Sequence, residues 1–224
     1  MKSEEFRLTL QRYHEMKKTS IILFVFVFTI TNFYAQSIIT KKSKMSDKLE
    51  IATFANGCFW CTEAIFQRLK GVEKVTSGYS GGKVKNPSYR EVATGETGHA
   101  EAIQIQFNPS VITFQEILDV FFSTHDPTTL NKQGYDVGTQ YRSAIFYHSK
   151  EQKEIAEKFI KALTEAKVFD KKITTEVTAF DYFYEADDYH QNYYNNNKTQ
   201  GYCMAVINPK LEKFIKKYKD KLKK

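Results

Sequence analysis

Cysteine is scarce in this sequence. Only three cysteines occur in 224 residues, and two of them, Cys58 and Cys61, flank the only tryptophan, Trp60. Structural zinc sites usually combine two pairs of closely spaced ligands, and the chain has no second pair. A zinc-binding module made from the three cysteines and a histidine is therefore disfavoured.

The middle of the chain lacks the positive charge that the net charge of +7 suggests. Residues 1–50 hold nine Lys and Arg against five acids, and residues 208–224 hold eight lysines against two acids. Residues 51–207 carry 16 basic and 19 acidic side chains. A nucleic-acid binder is expected to carry its basic groups on the folded contact surface, so this class is disfavoured. The lysine-rich end is predicted to be a solvated helix.

The apolar run at residues 21–30 is too short for an ordinary membrane span, which needs roughly 20 apolar residues. Lys17 and Lys18 precede the run and a polar segment ending at Ala35 follows it, which is the layout of a signal peptide over residues 16–35. We therefore expect export to the periplasm or cell envelope, with an uncleaved membrane anchor as the alternative. No cysteine follows the run, so a lipoprotein anchor is not indicated.

No internal repeat and no Pro/Ser-rich linker divides the remainder of the chain. About 175 to 190 residues remain after the leader, enough for one domain with a sizeable core. We predict a leader and linker at residues 1–48, a folded domain carrying the site at residues 49–207 and a basic C-terminal helix at residues 208–224.

Alternating apolar residues predict strands at residues 49–55, 72–79, 100–107, 143–147 and 173–178. The clearest, residues 100–107, is predicted to bury one face and expose the other. Capping-box patterns at Thr113 and Ser149 predict two helices. Strands mixed with helices favour an α+β fold in which helices pack on a largely antiparallel sheet.

Cys58 follows the first predicted strand and precedes helically spaced apolar residues, so it is expected in the first turn of a helix. Unpaired N–H groups and the helix dipole favour an anion there and would lower the pKa of the thiol. This pattern favours a nucleophilic thiolate. A buried pair of cysteines acting as small apolar side chains, or a partial zinc site, remain the alternatives.

Seven motifs together resemble one family, peptide methionine sulfoxide reductase A, over residues 50–205. The resemblance implies a two-layer α/β sandwich with a ferredoxin-like core and reduction of the S epimer of methionine sulfoxide, either in peptides or as the free amino acid. The motifs are Gly57-Cys58-Phe59-Trp60, Gly78-Tyr79-Ser80-Gly81-Gly82, Tyr89-Arg90-Glu91-Val92, Gly98-His99-Ala100-Glu101, His125-Asp126-Pro127, Gly138-Thr139-Gln140-Tyr141-Arg142-Ser143 and Asp188-Tyr189-His190-Gln191.

The resemblance also implies roles for individual side chains. Cys58 would be the nucleophile and Glu101 the acid, with a pKa raised by burial, while Tyr89 and Tyr141 would hydrogen-bond the sulfoxide oxygen. The alternative, without a catalytic role, is that Glu101 faces solvent or forms an ion pair with Arg142.

Four further residues are expected to bind the substrate. Phe59 and Trp60 would form an apolar wall for the S-methyl group, since aromatic faces make favourable contacts with methionine-type sulfur. Asp136 and His190 match family positions that position or polarise the site. No metal ion and no cofactor is expected.

A second thiol must resolve the sulfenic acid that forms on Cys58. Cys203 occupies the position of a family resolving cysteine and is the first choice, with Cys61 as a direct or second resolver. The commoner family pattern has glycine at position 61 and a glycine-rich tail with another cysteine, and this chain departs from both. The expected final reductant is thioredoxin-like, and the protein is expected to be a monomer.

A thiol–disulfide oxidoreductase that uses only Cys58-x-x-Cys61 is the alternative function. Such proteins usually place glycine or proline between the cysteines to shape the turn. Here Phe59 and Trp60 fill those positions, and a bulky aromatic pair suits substrate binding better.

Overall fold

The structure, a computed structural model, describes residues 48–223, which form one compact unit. The predicted signal peptide at residues 16–35, and the rest of the leader up to residue 47, lie outside the described residues. Within residues 48–223, no helix is long and apolar enough to cross a membrane.

Six strands form one sheet and two short strands form a separate hairpin. The strands are β1 (Glu50–Asn56), β2 (Val72–Ser80), β3 (Ala100–Phe107), β4 (Lys132–Gln133), β5 (Asp136–Val137), β6 (Ser143–Tyr147), β7 (Glu176–Ala179) and β8 (Phe183–Glu185). The order in the sheet is β7-β6-β1-β3-β2-β8, and β4 pairs with β5. All neighbours in the sheet are antiparallel except β6 and β7.

The described part of the chain also contains six α-helices, a π-helical segment, Cys203–Ile207, and three short 3-10 helices, Thr139–Tyr141, Asp188–His190 and Lys219–Lys221. The helices are α1 (Phe59–Phe66), α2 (Tyr89–Ala93), α3 (Phe114–Ser123), α4 (Lys150–Glu165), α5 (Tyr193–Asn196) and α6 (Asn208–Lys217). Thr113 caps α3 in a full capping box. Ser149 caps α4, but the Gln152 side chain accepts a hydrogen bond from the backbone of His148 and so does not complete the box.

The central strands and their long connections follow the order β1-α1-β2-β3-α3-β6, the connectivity of the ferredoxin-like motif. Phe54 of β1 lies at the centre of the main core, with its ring 4.9 Å from that of Phe121 and 6.1 Å from that of Phe66. The predicted α+β fold, two layers with a largely antiparallel sheet, is confirmed.

Three local predictions need correction. The first half of β3, predicted to expose one face, is buried on both, because a small second cluster around Ala102 and Phe146 covers the opposite side of the sheet. The strand predicted at residues 173–178 runs from Glu176 to Ala179. The C-terminal helix is not solvated on all sides, since Leu211 and Phe214 are buried in the main core.

Candidate active site

Cys58 lies at the junction of β1 and α1, where it is the N-cap residue of the helix. The chain turns through Gly57, whose φ of +94° is in the left-handed region, and a Cβ there would lie 2.6 Å from Cγ of Gln133. A side chain at position 57 would therefore be strained and would clash with the β4–β5 hairpin. The turn directs the thiol of Cys58 into a largely buried site.

The first free backbone N–H group of α1 does not form a hydrogen bond with the Cys58 thiol. Phe59 N donates to Oε2 of Glu101 at 3.0 Å, and the Cys58 side chain makes no capping hydrogen bond. Burial, together with a hydrogen bond to Cys61 and the charge of Glu101, raises the pKa of Cys58 well above its ordinary value. The prediction that the helix terminus lowers this pKa is therefore wrong.

Glu101 enters the site from β3, where it is buried and lies opposite Tyr79 of β2. Burial raises the pKa of its carboxyl group to about 8, against the opposing effect of the Phe59 hydrogen bond. Arg142 forms an ion pair with Glu176 at 3.1 Å. The alternative in which Glu101 faces solvent or pairs with Arg142 is thus contradicted.

An aromatic cluster surrounds the start of α1. The rings of Phe59 and Tyr89 stack at 6.4 Å, and the imidazole of His190 lies 4.4 Å from Tyr89 and 5.6 Å from Trp60. Trp60 also stacks on Tyr193 at 3.7 Å. Nε1 of Trp60 and Nδ1 of His190 are buried without a hydrogen-bond partner among the described residues. Unpaired buried polar atoms are rare in proteins, and their presence here suits a site that binds a polar ligand.

The hydroxyl groups of Tyr89 and Tyr141 belong to the same electrostatic environment as Glu101. Burial and the charge of Glu101 raise the pKa of Tyr89 to about 12, and the same two causes raise the pKa of Tyr141. Both hydroxyls therefore remain protonated at neutral pH and can donate hydrogen bonds. The charge of Asp136 in β5 also raises the pKa of both tyrosines.

A cavity of about 220 Å³ contains the two neighbouring thiols, Cys58 and Cys61, and is also lined by Asp136, Tyr202 and Lys210. The Tyr202 hydroxyl donates to Oδ2 of Asp136 at 2.9 Å and lies 3.9 Å from Sγ of Cys61. The hydrogen bond with Cys58 lowers the pKa of Cys61 to about 7 despite burial, with a smaller contribution from the charge of Lys210.

Tyr202 and Lys210 were not predicted as site residues. Tyr202 stands immediately before Cys203, and its place in Gly201-Tyr202-Cys203 was the available signal. Nothing in the sequence singles out Lys210 among the eight lysines of residues 208–224, because its role depends on how α6 packs beside α1.

Cys203 is fully buried in the π-helical segment and does not line the thiol cavity. Burial raises the pKa of its thiol. All three cysteines are free thiols. The structure therefore brings Cys61, rather than Cys203, into the cavity that contains Cys58.

No set of three or more His, Cys, Asp or Glu side chains in residues 48–223 is arranged to hold a metal ion. The zinc-site alternative thus has no support in the described part of the chain. The site thus combines a pair of thiols with a buried carboxyl group and two tyrosine hydroxyls. These are the groups that a thiol-dependent oxidoreductase uses.

Comparison with known proteins identifies the family within this class. The family model described as "Peptide methionine sulfoxide reductase" matches residues 50–223. The chain is 60% identical over 173 residues to "Peptide methionine sulfoxide reductase MsrA" of Sulfolobus acidocaldarius, covering 77% of this chain and 97% of the relative. It is 56% identical over 174 residues to the protein of the same name from Deinococcus radiodurans, covering 78% and 84%.

Solved structures give the same result. Mxr1 of Saccharomyces cerevisiae in reduced form is similar with a TM-score of 0.64 and 36% identity, over 70% of this chain and 90% of that one. Methionine sulfoxide reductase A of Corynebacterium diphtheriae is similar with a TM-score of 0.61 and 35% identity, over 67% and 76%. The chain belongs to the peptide methionine sulfoxide reductase family, and the predicted enzyme class, a thiol-dependent methionine sulfoxide reductase, is confirmed.

The raised pKa of Glu101 has a measurable effect on stability. Its folded-state value of about 8 exceeds the ordinary value of 4.5, so the folded protein retains a proton that the unfolded chain releases. The resulting stability is fully present below about pH 4.5 and is lost as the pH rises through about 8. As the pH rises from about 4.5 to about 8, we expect the free energy of unfolding, measured in urea, to fall in both proteins. The fall should be larger in the wild type than in Glu101→Gln by roughly 3 to 5 kcal/mol.

Glu63→Gln is the matched control, because burial raises the pKa of Glu63 to about 7 while this residue lies outside the proposed chemistry. In the Glu63→Gln protein, the free energy of unfolding should still show the part of its pH dependence that Glu101 contributes. Equal pH dependence in the wild type and Glu101→Gln would show that the Glu101 carboxyl group is not desolvated.

Proposed function

We propose that this chain reduces the S epimer of methionine sulfoxide, in oxidised proteins and peptides or as the free amino acid, with Cys58 as nucleophile and Glu101 as proton donor. The observation that carries the proposal is the buried Glu101 carboxyl, which has a pKa of about 8 and is hydrogen-bonded to the residue that follows Cys58. A carboxyl group in this state is protonated at neutral pH and can donate to an oxygen.

Substrate activation requires hydrogen bonds to the sulfoxide oxygen, because the sulfur is a poor electrophile while that oxygen is unprotonated. Glu101, Tyr89 and Tyr141 supply the donors. Phe59 and Trp60 offer aromatic faces to the S-methyl group. Asp136, which lines the thiol cavity, and His190, which packs against Tyr89 and Trp60, position the rest of the substrate.

Oxygen transfer oxidises Cys58. The sulfur of Cys58 attacks the activated sulfoxide, the sulfoxide S–O bond breaks and a new S–O bond leaves Cys58 as a sulfenic acid. The substrate sulfur gains two electrons and Cys58 loses two. The pKa of Cys58 is raised in the free protein, so the thiol proton must leave as the substrate oxygen is protonated. Glu101 donates its proton to that oxygen, which becomes the hydroxyl of the sulfenic acid, and the Cys58 proton replaces it on the carboxyl group.

Cys61 then resolves the sulfenic acid. Residues three apart on a helix are neighbours, and Cys58 and Cys61 line one cavity, so an S–S bond can form with release of water and little backbone movement. The charge of Lys210 lowers the pKa of Cys61 independently of the state of Cys58 and so favours the attacking thiolate. This arrangement favours Cys61 over our first choice, Cys203, which is buried outside the cavity.

A thioredoxin-like protein completes the cycle by reducing the Cys58–Cys61 disulfide, and no cofactor is required in the chain itself. We further propose that the protein acts as a monomer in the periplasm or cell envelope. The support for export is the signal-peptide layout of residues 16–35. N-terminal sequencing of protein recovered from the envelope of expressing cells should begin near Gln36, and recovery of the uncleaved leader in the cytoplasm would contradict export.

The activity itself is tested with dithiothreitol, which reduces small and buried disulfides without a protein partner. The purified protein should reduce methionine S-sulfoxide and leave the R epimer unchanged, as measured by chromatography of the amino acids. Cys58→Ser should lose all measurable activity because no sulfenic acid can form. Cys203→Ser, the control, should retain it, and activity in Cys58→Ser would remove Cys58 from the mechanism.

The identity of the resolving cysteine is tested by a single turnover without reductant. Mass spectrometry of the digested protein should show a Cys58–Cys61 disulfide in the wild type and in Cys203→Ser. In Cys61→Ser the sulfenic acid should persist long enough to be trapped by dimedone, because Cys203 is not in the cavity. A Cys58–Cys203 disulfide as the first product would restore our initial preference.

A further inference from the structure

Exposed apolar residues belong to, or adjoin, two segments that line the thiol cavity. The tip of the β4–β5 hairpin lines the cavity, and the exposed fractions of Leu130, Tyr135 and Val137 are 70%, 96% and 67%. Met204, beside the cavity-lining Ala205, is 57% exposed. Clustered exposed apolar side chains mark interaction sites. We call these four residues the apolar rim, because Tyr135 lines the cavity and the other three belong to or adjoin its lining segments.

A basic groove continues from the same mouth. This groove, about 490 Å³ in volume, shares Val206 and Lys210 with the thiol cavity and is also lined by Lys213 and Lys217 of α6. The three lysines lie on one face of the helix because they are spaced by three and four residues. Lys213 and Lys217 are exposed, and neither makes an ion pair within residues 48–223.

The described lining of the groove holds three lysines and a single acidic residue, so its charge is net positive. Asp126 is the one acidic residue in its lining, and its carboxylate already accepts hydrogen bonds from the backbone and hydroxyl of Thr128. The buried side chains of Phe214 and Tyr218 also line the groove. The surface therefore combines apolar and positively charged side chains and adjoins the thiol cavity.

We propose that the apolar rim and the basic groove together form the docking surface for a protein dithiol reductant that carries acidic side chains beside its reactive cysteine. This inference rests on the proposed function and names the partner of the same site. The partner's thiolate attacks the Cys58–Cys61 disulfide, forms a mixed disulfide with one of these cysteines and releases the other as a thiol. The partner's second thiol then attacks the partner's first sulfur, the mixed disulfide breaks and the remaining cysteine of this chain leaves as a thiol. Two electrons and two protons pass to Cys58 and Cys61, and the partner becomes the disulfide.

Charge favours the reductant over an oxidised substrate as the occupant. A repair enzyme must accept methionine sulfoxide in many sequence contexts, so a fixed strip of three lysines would exclude basic substrates without benefit. The reductant is one partner that returns in every cycle. Complementary charge accelerates and orients such an encounter more than it increases affinity, which is what a short-lived electron-transfer contact requires.

The test compares two reductants on the full-length protein. Lys213→Glu/Lys217→Glu should lower kcat/KM for an acidic bacterial thioredoxin, regenerated with thioredoxin reductase and NADPH, by about tenfold at low salt. The loss should shrink as salt is added, because surface charges are screened. Dithiothreitol-supported turnover should be unchanged. Lys216→Glu, on the same helix but outside the groove, is the matched control and should show less than a twofold change.

Leu130→Ser tests the apolar rim in the same assay and should lower thioredoxin-supported turnover without the salt dependence.

Unchanged kcat/KM for thioredoxin in the double lysine variant, or a higher KM for an acidic methionine sulfoxide peptide with either reductant, would overturn the proposal. If the wild-type protein is active with dithiothreitol but not with thioredoxin, the proposed partner is wrong and the proposed function stands. Absence of activity with dithiothreitol would reject the proposed function itself.

Discussion

The hydrogen bond from the backbone of Phe59 to the buried carboxyl of Glu101 is the interaction on which the site depends. It joins the start of α1 to the middle of the sheet and satisfies one N–H group that a helix terminus leaves unpaired. It also occupies a single carboxyl oxygen, so the proton on the other oxygen remains available. A carboxylate would be costly at this depth, and the protonated form is therefore favoured by the fold before any substrate binds.

This constraint gives the two neighbouring cysteines different surroundings. Because Glu101 takes the helix N–H, Cys58 receives no stabilisation as an anion from it, and burial keeps its thiol protonated. Cys61, one turn further, lies near the Tyr202 hydroxyl and the charge of Lys210. The tail that departs from the commoner family pattern thus contributes through Lys210 and Val206, which line the cavity, and not through an additional cysteine.

Periodicity in the sequence predicted most of the regular structure, because β1, β2, β3 and β6 alternate clearly and α3 and α4 begin at capping residues. The resemblance supplied the remaining site residues, and the structure gathers Tyr89, Glu101 and His190 around α1 although they come from separate parts of the chain. What could not be predicted depends on packing between distant segments. The pKa of Cys58 is raised mainly by burial beneath distant segments, with a smaller contribution from a carboxyl group 43 residues away in the sequence. The burial of α6 follows from its contact with the main core.

The placement of the thiol pair within one turn of α1 has a consequence for recognition. In the proposed mechanism, closing the Cys58–Cys61 bond would change the outline of the molecule very little, since both cysteines line one cavity. The surface that the proposed partner meets would therefore be nearly the same before and after reduction. Discrimination between the two forms must come from covalent chemistry at the mouth of the cavity, so an encounter with an already reduced molecule ends by simple diffusion apart.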